Sequence, residues 1–272
     1  MNEDFQDCIG RKQVREDIVT ARTINAFKAT LAPHLFPGSN LGVHWCLAPD
    51  MVSVDELGVD GHPKLGKFLP DVGLPRRMWA GGEITQIGSF GAGDHVRKTS
   101  TITDVSFKSG QSGKLCFVAV SHDYEVAGAV VVSERQDIVY RAAAKQGGAM
   151  PPPQSPVASG PVNTRISPTS TLLFRYSGMT FNGHRIHYDE AYARDVEGYS
   201  GLVVHGPLQA TLMLNLAASI LGCAPRSFSY RGVSPLILDT AFLIDAETGP
   251  HGIELRCINA AGDVTMKALA RI

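Results

Sequence analysis

The chain has 272 residues, 44% of them hydrophobic, which is enough for one large domain or two modest ones around a buried core. A formal net charge of -1, with no like-charge block along the chain, excludes the basic field that nucleic acid or an anionic membrane surface selects. The five cysteines, Cys8, Cys46, Cys116, Cys223 and Cys257, are scattered and odd in number, so neither a disulfide framework nor a zinc ribbon is expected. The charged start "MNEDFQDCIGRKQVRED" does not read as a signal peptide, and no apolar run reaches the roughly 20 residues that cross a bilayer. A soluble, cytoplasmic protein is the expectation.

In chain order, "RKQVREDIVTARTINAFKATLA" (11–32) places Val14, Ile18, Ala21, Ile24 and Phe27 at helical spacing and ends at Pro33, which predicts an amphipathic helix. An irregular Gly/Pro-rich region follows. Residues 94–141 hold three β-rich runs, "DHVRKTSTITDVSFKSG", "KLCFVAVSHDYEVAG" and "AVVVSERQDIVYRA", separated by turn signals and read as antiparallel strands. Residues 145–163, "KQGGAMPPPQSPVASGPVN", form a proline- and glycine-rich seam. The expected division is therefore residues 1–145, a linker over 146–163, and residues 164–272.

The second part opens on "STLLFRYSG", read as a strand, and passes through "YSGMTFNGHRIHYDEAYA" (176–193). "HGPLQATLMLNLAASILG" (205–222) has no charged residue after His205, a proline in its first turn and a closing glycine, so it predicts a fully buried helix. Four short β-like runs, "RSFSYRGVSP", "LILDTAFLIDAE", "GIELRCINAAG" and "DVTMKALARI", follow. One buried helix with an antiparallel sheet curled round it is an α+β arrangement.

Several chemistries find no support. There is no G-x-S-x-G elbow, P-loop or H-E-x-x-H, and "GAGD" at Gly91 lacks the following helix that dinucleotide binding requires. His184 and His187, three apart, lack a third metal ligand at a convincing spacing, so no metal is expected. His187 sits instead where a loop meets "YDEAYARD", while "GYSGLVVHGPL" brings Gly206 to the start of the buried helix. A backbone N–H at a helix N-terminus is a ready donor to a developing oxyanion. Paired with a neutral histidine base, it supplies the two parts needed to add water to an acyl thioester or remove it.

These residues resemble the MaoC-like, R-specific enoyl-CoA hydratases and dehydratases of the hotdog fold, whose signature runs approximately S-G-D-x-N-P-[LIV]-H-x(5)-[AS] with a later "HG". Ile186, His187 and Ala193 match its last three defined positions, and His205-Gly206 the later pair. The likeness is closer to the subgroup carrying "TFNGHRIHYD" and "PRRMWAGGE" (75–83), which includes mitochondrial-type hydroxyacyl-thioester dehydratases and hydratases of mesaconyl-CoA and itaconyl-CoA. It covers most of the chain. The resemblance implies a double hotdog, with an N-terminal half that has lost its own histidine motif and completes the sheet and acyl pocket. Two hotdogs in one chain would mimic the dimer of a single-hotdog enzyme; further association into a homodimer is left open.

The signature's aspartate falls on Asn182, and His184-Arg185 replace its Asn-Pro. An amide neither takes nor gives a proton at neutral pH, though it can orient water. Three accounts stand at this point: His187 acts alone, His184 or Asp189 shares the work, or the chain binds acyl-CoA without turning it over. The first is favoured, with His187 as base, Asn182 holding the water and Gly206 N–H meeting the thioester oxygen. The substrate implied is an unsaturated dicarboxylyl-CoA that is hydrated to citramalyl-CoA, with CoA part of the substrate and no separate cofactor. Its free carboxylate suits an arginine fork from Arg185, Arg76 or Arg77. Itaconyl-CoA would first need isomerisation, because its double bond is not conjugated to the thioester. The alternative enzyme is an (R)-3-hydroxyacyl-thioester dehydratase of fatty-acid metabolism. Trp79 and its glycines are expected to serve packing and a turn.

Overall fold

The computed structural model describes residues 5–110, 113–142, 162–238 and 241–272. Ten strands, β1 (Lys12–Ile18), β2 (Arg76–Gln86), β3 (His95–Gly110), β4 (Gly113–Val126), β5 (Ala129–Arg141), β6 (Val162–Ile166), β7 (Ser227–Gly232), β8 (Phe242–Gly249), β9 (Gly252–Ile258) and β10 (Val264–Arg271), form one sheet. Its order is β1-β3-β4-β5-β2-β7-β10-β9-β8-β6, and every pairing is antiparallel. The N-terminal strands thus occupy one side and the C-terminal strands the other, joined where β2 meets β7. The helices are α1 (Ala21–Leu31), α2 (Ser170–Thr180), α3 (Glu190–Asp195) and α4 (Gly206–Leu221).

The α+β double hotdog expected from the sequence is the fold. Helix α4 buries residues all round, including Leu208, Leu212, Met213, Ala217 and Ala218, and touches β7, β8, β9 and β10. It ends at Gly222, whose φ of 71° is the left-handed conformation a glycine adopts without steric cost. On the other side, Ile24, Phe27 and Leu31 of α1 share the main core with Ile84, Val96, Tyr124 and Val132 of the N-terminal strands.

Three local expectations are corrected. Residues 11–32 are not one helix: β1 occupies Lys12–Ile18, paired with β3, and α1 begins only at Ala21. The alternating burial of "KQVREDI" is a strand's period of two, and Thr20 starts the helix by accepting the Thr23 N–H at 3.0 Å. "STLLFRYSG" is helix α2 and not a strand; Thr169 caps it, and its buried Leu173, Tyr176 and Ser177 have helical spacing. "RRMWAGGEITQ" makes no turn at its glycines: it is β2, paired on both sides, with β5 and β7. A Cβ on Gly81 would stand 2.6 Å from Tyr230 O and one on Gly82 2.1 Å from Arg135 O, so the neighbouring backbones exclude side chains there. The proline-rich seam lies outside the described residues except for Val162 and Asn163, which begin β6.

Residues 54–74, between α1 and β2, take no strand yet are tied down. Leu65, Phe68, Leu69, Val72 and Leu74 pack on a second core of Ile102, Val105, Cys116, Val118, Val120 and Tyr140. Within this segment Leu57 bridges Pro63, and Gly58 N–H donates to His62 O at 2.7 Å, closing a tight loop that carries Asp60 and His62.

Candidate active site

The two motifs separated in sequence are joined by backbone. After α2 the chain turns through Phe181, a left-handed C-cap, into a short 3-10 turn, Arg185–His187, and then α3. Val203 N–H donates to Ile186 O at 2.9 Å, and Ile186, Tyr192, Ala193 and Val203 form a small core beneath. His187 Nδ1–H donates to Val203 O at 2.7 Å. That bond fixes the tautomer and leaves Nε2 as the nitrogen for chemistry.

His187 is buried, and burial pushes its pKa down to about 4 despite the opposing pull of the Val203 carbonyl. Its ring stacks on His205, centroids 3.6 Å apart. His205 is fully enclosed, with Nε2 2.8 Å from Ser177 Oγ, and burial holds it neutral. It precedes Gly206, the first residue of α4, where the opening N–H groups have no partner within the helix. A Cβ on Gly206 would meet Trp79 Cε3 at 2.5 Å, so Trp79 of β2 lies directly against the helix start. Trp79 stacks on Tyr230 at 4.5 Å, and Tyr230 OH donates to the buried Glu134 at 2.7 Å, as does Trp45 Nε1 at 2.9 Å.

Asn182 adjoins His187 in the same loop. Its Oδ1 accepts the His184 N–H at 3.0 Å, which holds the turn. His184 lies edge-on to His187, centroids 5.4 Å apart, and burial drives its pKa down to about 2. Asp189 caps α3 by accepting the Tyr192 N–H and also binds Arg185, so its carboxylate is engaged away from proton transfer.

The three arginines separate. Arg185 reaches Asp189 with Nε and Nη2 at 3.0 and 2.7 Å, gives Nη1 to Val59 O and lies over the Tyr192 ring. Arg76 pairs with Glu197 at 2.7 Å and lies over Tyr199. Successive residues of a strand face opposite sides, so Arg77 shares the face of Trp79, and its charge acts on Asp60, His62 and His184.

The pair Asp60 and His62 belongs to no motif legible in the sequence. Their loop docks on the loop that carries Asn182, His184 and His187 through bare backbone: a Cβ on Gly61 would stand 2.0 Å from Gly183 O, and one on Gly183 2.6 Å from Gly61 O. Arg185 N–H donates to Asp60 O at 2.9 Å. His62 thereby comes to lie 4.1 Å, centroid to centroid, from His184. Asp60, His62 and His184 bring donor atoms within 4.8 Å of one another, as a metal site would. Both Asp60 oxygens, however, already accept from His62, Oδ1 from its backbone N–H at 3.0 Å and Oδ2 from Nδ1 at 2.8 Å. The carboxylate therefore orients a histidine. The only signal in the sequence was "DGHP" inside the Gly/Pro-rich region.

Fold and site together define a double-hotdog protein with a buried histidine stacked on the residue that precedes a buried helix. The profile of the hydroxyacyl-thioester dehydratase type 2 family matches residues 42–238, and the chain belongs to this family of hydratases and dehydratases. It is 36% identical over 278 residues to the mesaconyl-C(4)-CoA hydratase of Chloroflexus aurantiacus, covering 99% of this chain and 98% of that one. It is 25% identical to the mitochondrial hydroxyacyl-thioester dehydratase type 2 of Saccharomyces cerevisiae, over 97% of this chain and 96% of that one. Among solved structures, HtdX of Mycobacterium tuberculosis superposes with a TM-score of 0.69 at 19% identity, covering 96% of this chain and 99% of that one. Among the described residues no helix is long and apolar enough to cross a membrane.

Proposed function

We propose that the chain is a hydro-lyase that adds water to an unsaturated dicarboxylyl-CoA, mesaconyl-CoA or itaconyl-CoA, to give citramalyl-CoA. The observation that carries the reading is the single free nitrogen of His187, held in a neutral imidazole in the loop bonded to the start of α4. His187 Nε2 draws the proton from a water as its oxygen bonds to the β-carbon. The π electrons move to the thioester oxygen, where the N-terminal N–H of Gly206 meets the charge. Asn182, through Nδ2, holds the water. The likeness to the Chloroflexus hydratase along nearly the whole chain supports the dicarboxylyl substrate. Arg77, whose side chain bonds only the neutral Tyr140 where Arg76 and Arg185 are committed to the carboxylates of Glu197 and Asp189, is the arginine taken for the free carboxylate.

The test is loss of enoyl-thioester absorbance with mesaconyl- and crotonyl-CoA, and formation of citramalyl-CoA from itaconyl-CoA followed by chromatography. Faster turnover of the dicarboxylyl esters supports the assignment. Preference for crotonyl-CoA favours the (R)-3-hydroxyacyl-thioester dehydratase reading, to which the likeness to the yeast enzyme points. Binding without turnover of any ester overturns both.

A further inference from the structure

We propose that His62, held by Asp60, is a second acid/base residue of this site, brought in by the N-terminal half to do what Asn182 cannot. The proposal rests on the hydratase reading above and deepens it.

Adding water across a double bond moves two protons: one leaves the water and one arrives at the α-carbon. His187 has one usable nitrogen, because Nδ1–H is held by Val203 O. Asn182 has no proton to exchange, and its carbonyl oxygen is bound to the His184 N–H. His205 is sealed, at 0% exposure, behind His187. His62 differs from His187 and His205: its side chain keeps 22% exposure, so substrate or water can reach it.

Its orientation is built. Asp60 accepts the His62 backbone N–H and its Nδ1–H, which leaves Nε2 as the exchanging nitrogen. The two glycines, Gly61 and Gly183, let the loops touch backbone to backbone, and Arg185 N–H and Nη1 fasten Asp60 O and Val59 O. A loop that only connected α1 to β2 would need no such docking.

Charge decides where a proton taken up by the cluster resides. Around His62 stand Asp60 on its own loop, His184 on the catalytic loop and Arg77 on β2. Burial and, after it, Arg77 hold the His62 pKa below its ordinary value, and the hydrogen bond and charge of Asp60 oppose them. Of the four imidazoles His62, His184, His187 and His205, only His62 has a carboxylate in hydrogen-bond contact. A proton entering the cluster therefore settles on the Asp60–His62 pair.

In the hydration direction the water's oxygen bonds to the β-carbon, its proton passes to His187 Nε2, and the π electrons reach the thioester oxygen. As the enolate collapses, the α-carbon takes a proton from His62 Nε2–H. The cluster then holds its proton on His187 instead of His62, and exchange through water returns it. No proton is gained or lost over the cycle.

The experiment compares wild type, His62→Gln and Asp60→Asn in the full chain, with folding checked by circular dichroism and acyl-CoA binding by calorimetry. Hydration is followed by absorbance across pH 5–9. His62→Gln is expected to lower kcat on the order of 100-fold, the range for one general acid/base, with binding unchanged. Asp60→Asn is expected to lower kcat less and to move the pH profile of kcat toward acid, since the counter-charge that keeps the proton on His62 is gone. If the glutamine variant misfolds, Asp60→Asn decides by its pH profile. An active wild type whose two variants keep kcat and its pH profile, or lose only KM, overturns the role of His62. A wild type that hydrates no enoyl-CoA sinks the hydratase reading, a different result.

Discussion

Trp79 lies against Gly206 so closely that a Cβ on the glycine would stand 2.5 Å from the ring. The central strand and the N-terminus of the buried helix are therefore held in contact by the absence of one carbon. Gly206→Ala should force the ring or the helix aside, costing about 1–3 kcal/mol, the usual range for an overpacked core. It should also displace the donor at the helix start, lowering hydration at least about 10-fold. Thermal unfolding and the absorbance assay read the two effects. Unchanged activity would show that this N–H does not meet the oxyanion.

His187→Ala should leave the fold intact and nearly abolish turnover, measured by absorbance with circular dichroism as the control. Asn182→Ala should cost less, about 10-fold in kcat, because a positioning hydrogen bond to water is lost while the base remains.

Acid should destabilise the fold in a defined window. The unfolded chain takes up protons on its histidines near the ordinary value of 6.5, whereas His187 resists until about 4 and His44, also buried, until about 3. Between these limits the unfolded state binds more protons, so stability falls as pH drops from about 6.5 toward 4. The urea midpoint measured at pH 7, 6 and 5 should decrease in that order, and a flat series would contradict the neutral buried histidines.

Arginine variants should separate substrate recognition from structure. Arg77→Ala should raise KM for a dicarboxylyl-CoA at least about 10-fold and leave crotonyl-CoA little changed, since only the former offers a carboxylate to the guanidinium. Arg76→Ala should act mainly on stability, because it leaves Glu197, its partner at 2.7 Å and nearly buried, without a counter-charge. Steady-state kinetics with both esters, beside thermal unfolding, resolves the three effects.

Glu134 links the halves by accepting from Trp45 and Tyr230 on one oxygen, and burial raises its pKa. Glu134→Gln keeps that acceptor and should change stability by less than about 1 kcal/mol, whereas Glu134→Leu strands two donors and should cost about 2–4 kcal/mol. Denaturant unfolding at neutral pH distinguishes them.

The parts legible in the sequence were those with a strong local period or a paired motif. Helix α4 has an uninterrupted apolar run between proline and glycine, and His187 and Gly206 lie in motifs whose spacing is itself the signal. The segment 11–32 misled because Val14 and Ile18 fit a helical period, while their outward positions in β1 depend on pairing with β3, invisible from one chain. For α2, "STLLFRYSG" is apolar enough for either state, and burial against α1 decides. Asp60 and His62 were hidden for another reason: they reach the site only through a contact with residues more than a hundred positions away, and two glycines are a faint mark of it. The unequal fates of Arg76, Arg77 and Arg185 likewise depend on partners that no local pattern announces.

The joint between β2 and β7 also fixes a stoichiometry. A symmetric pair of identical hotdogs would present two equivalent pockets, whereas here the histidine and the helix start come from one side of the joint alone. Among the described residues each polypeptide therefore offers one candidate reaction centre, and on that reading cooperativity would have to arise between separate chains.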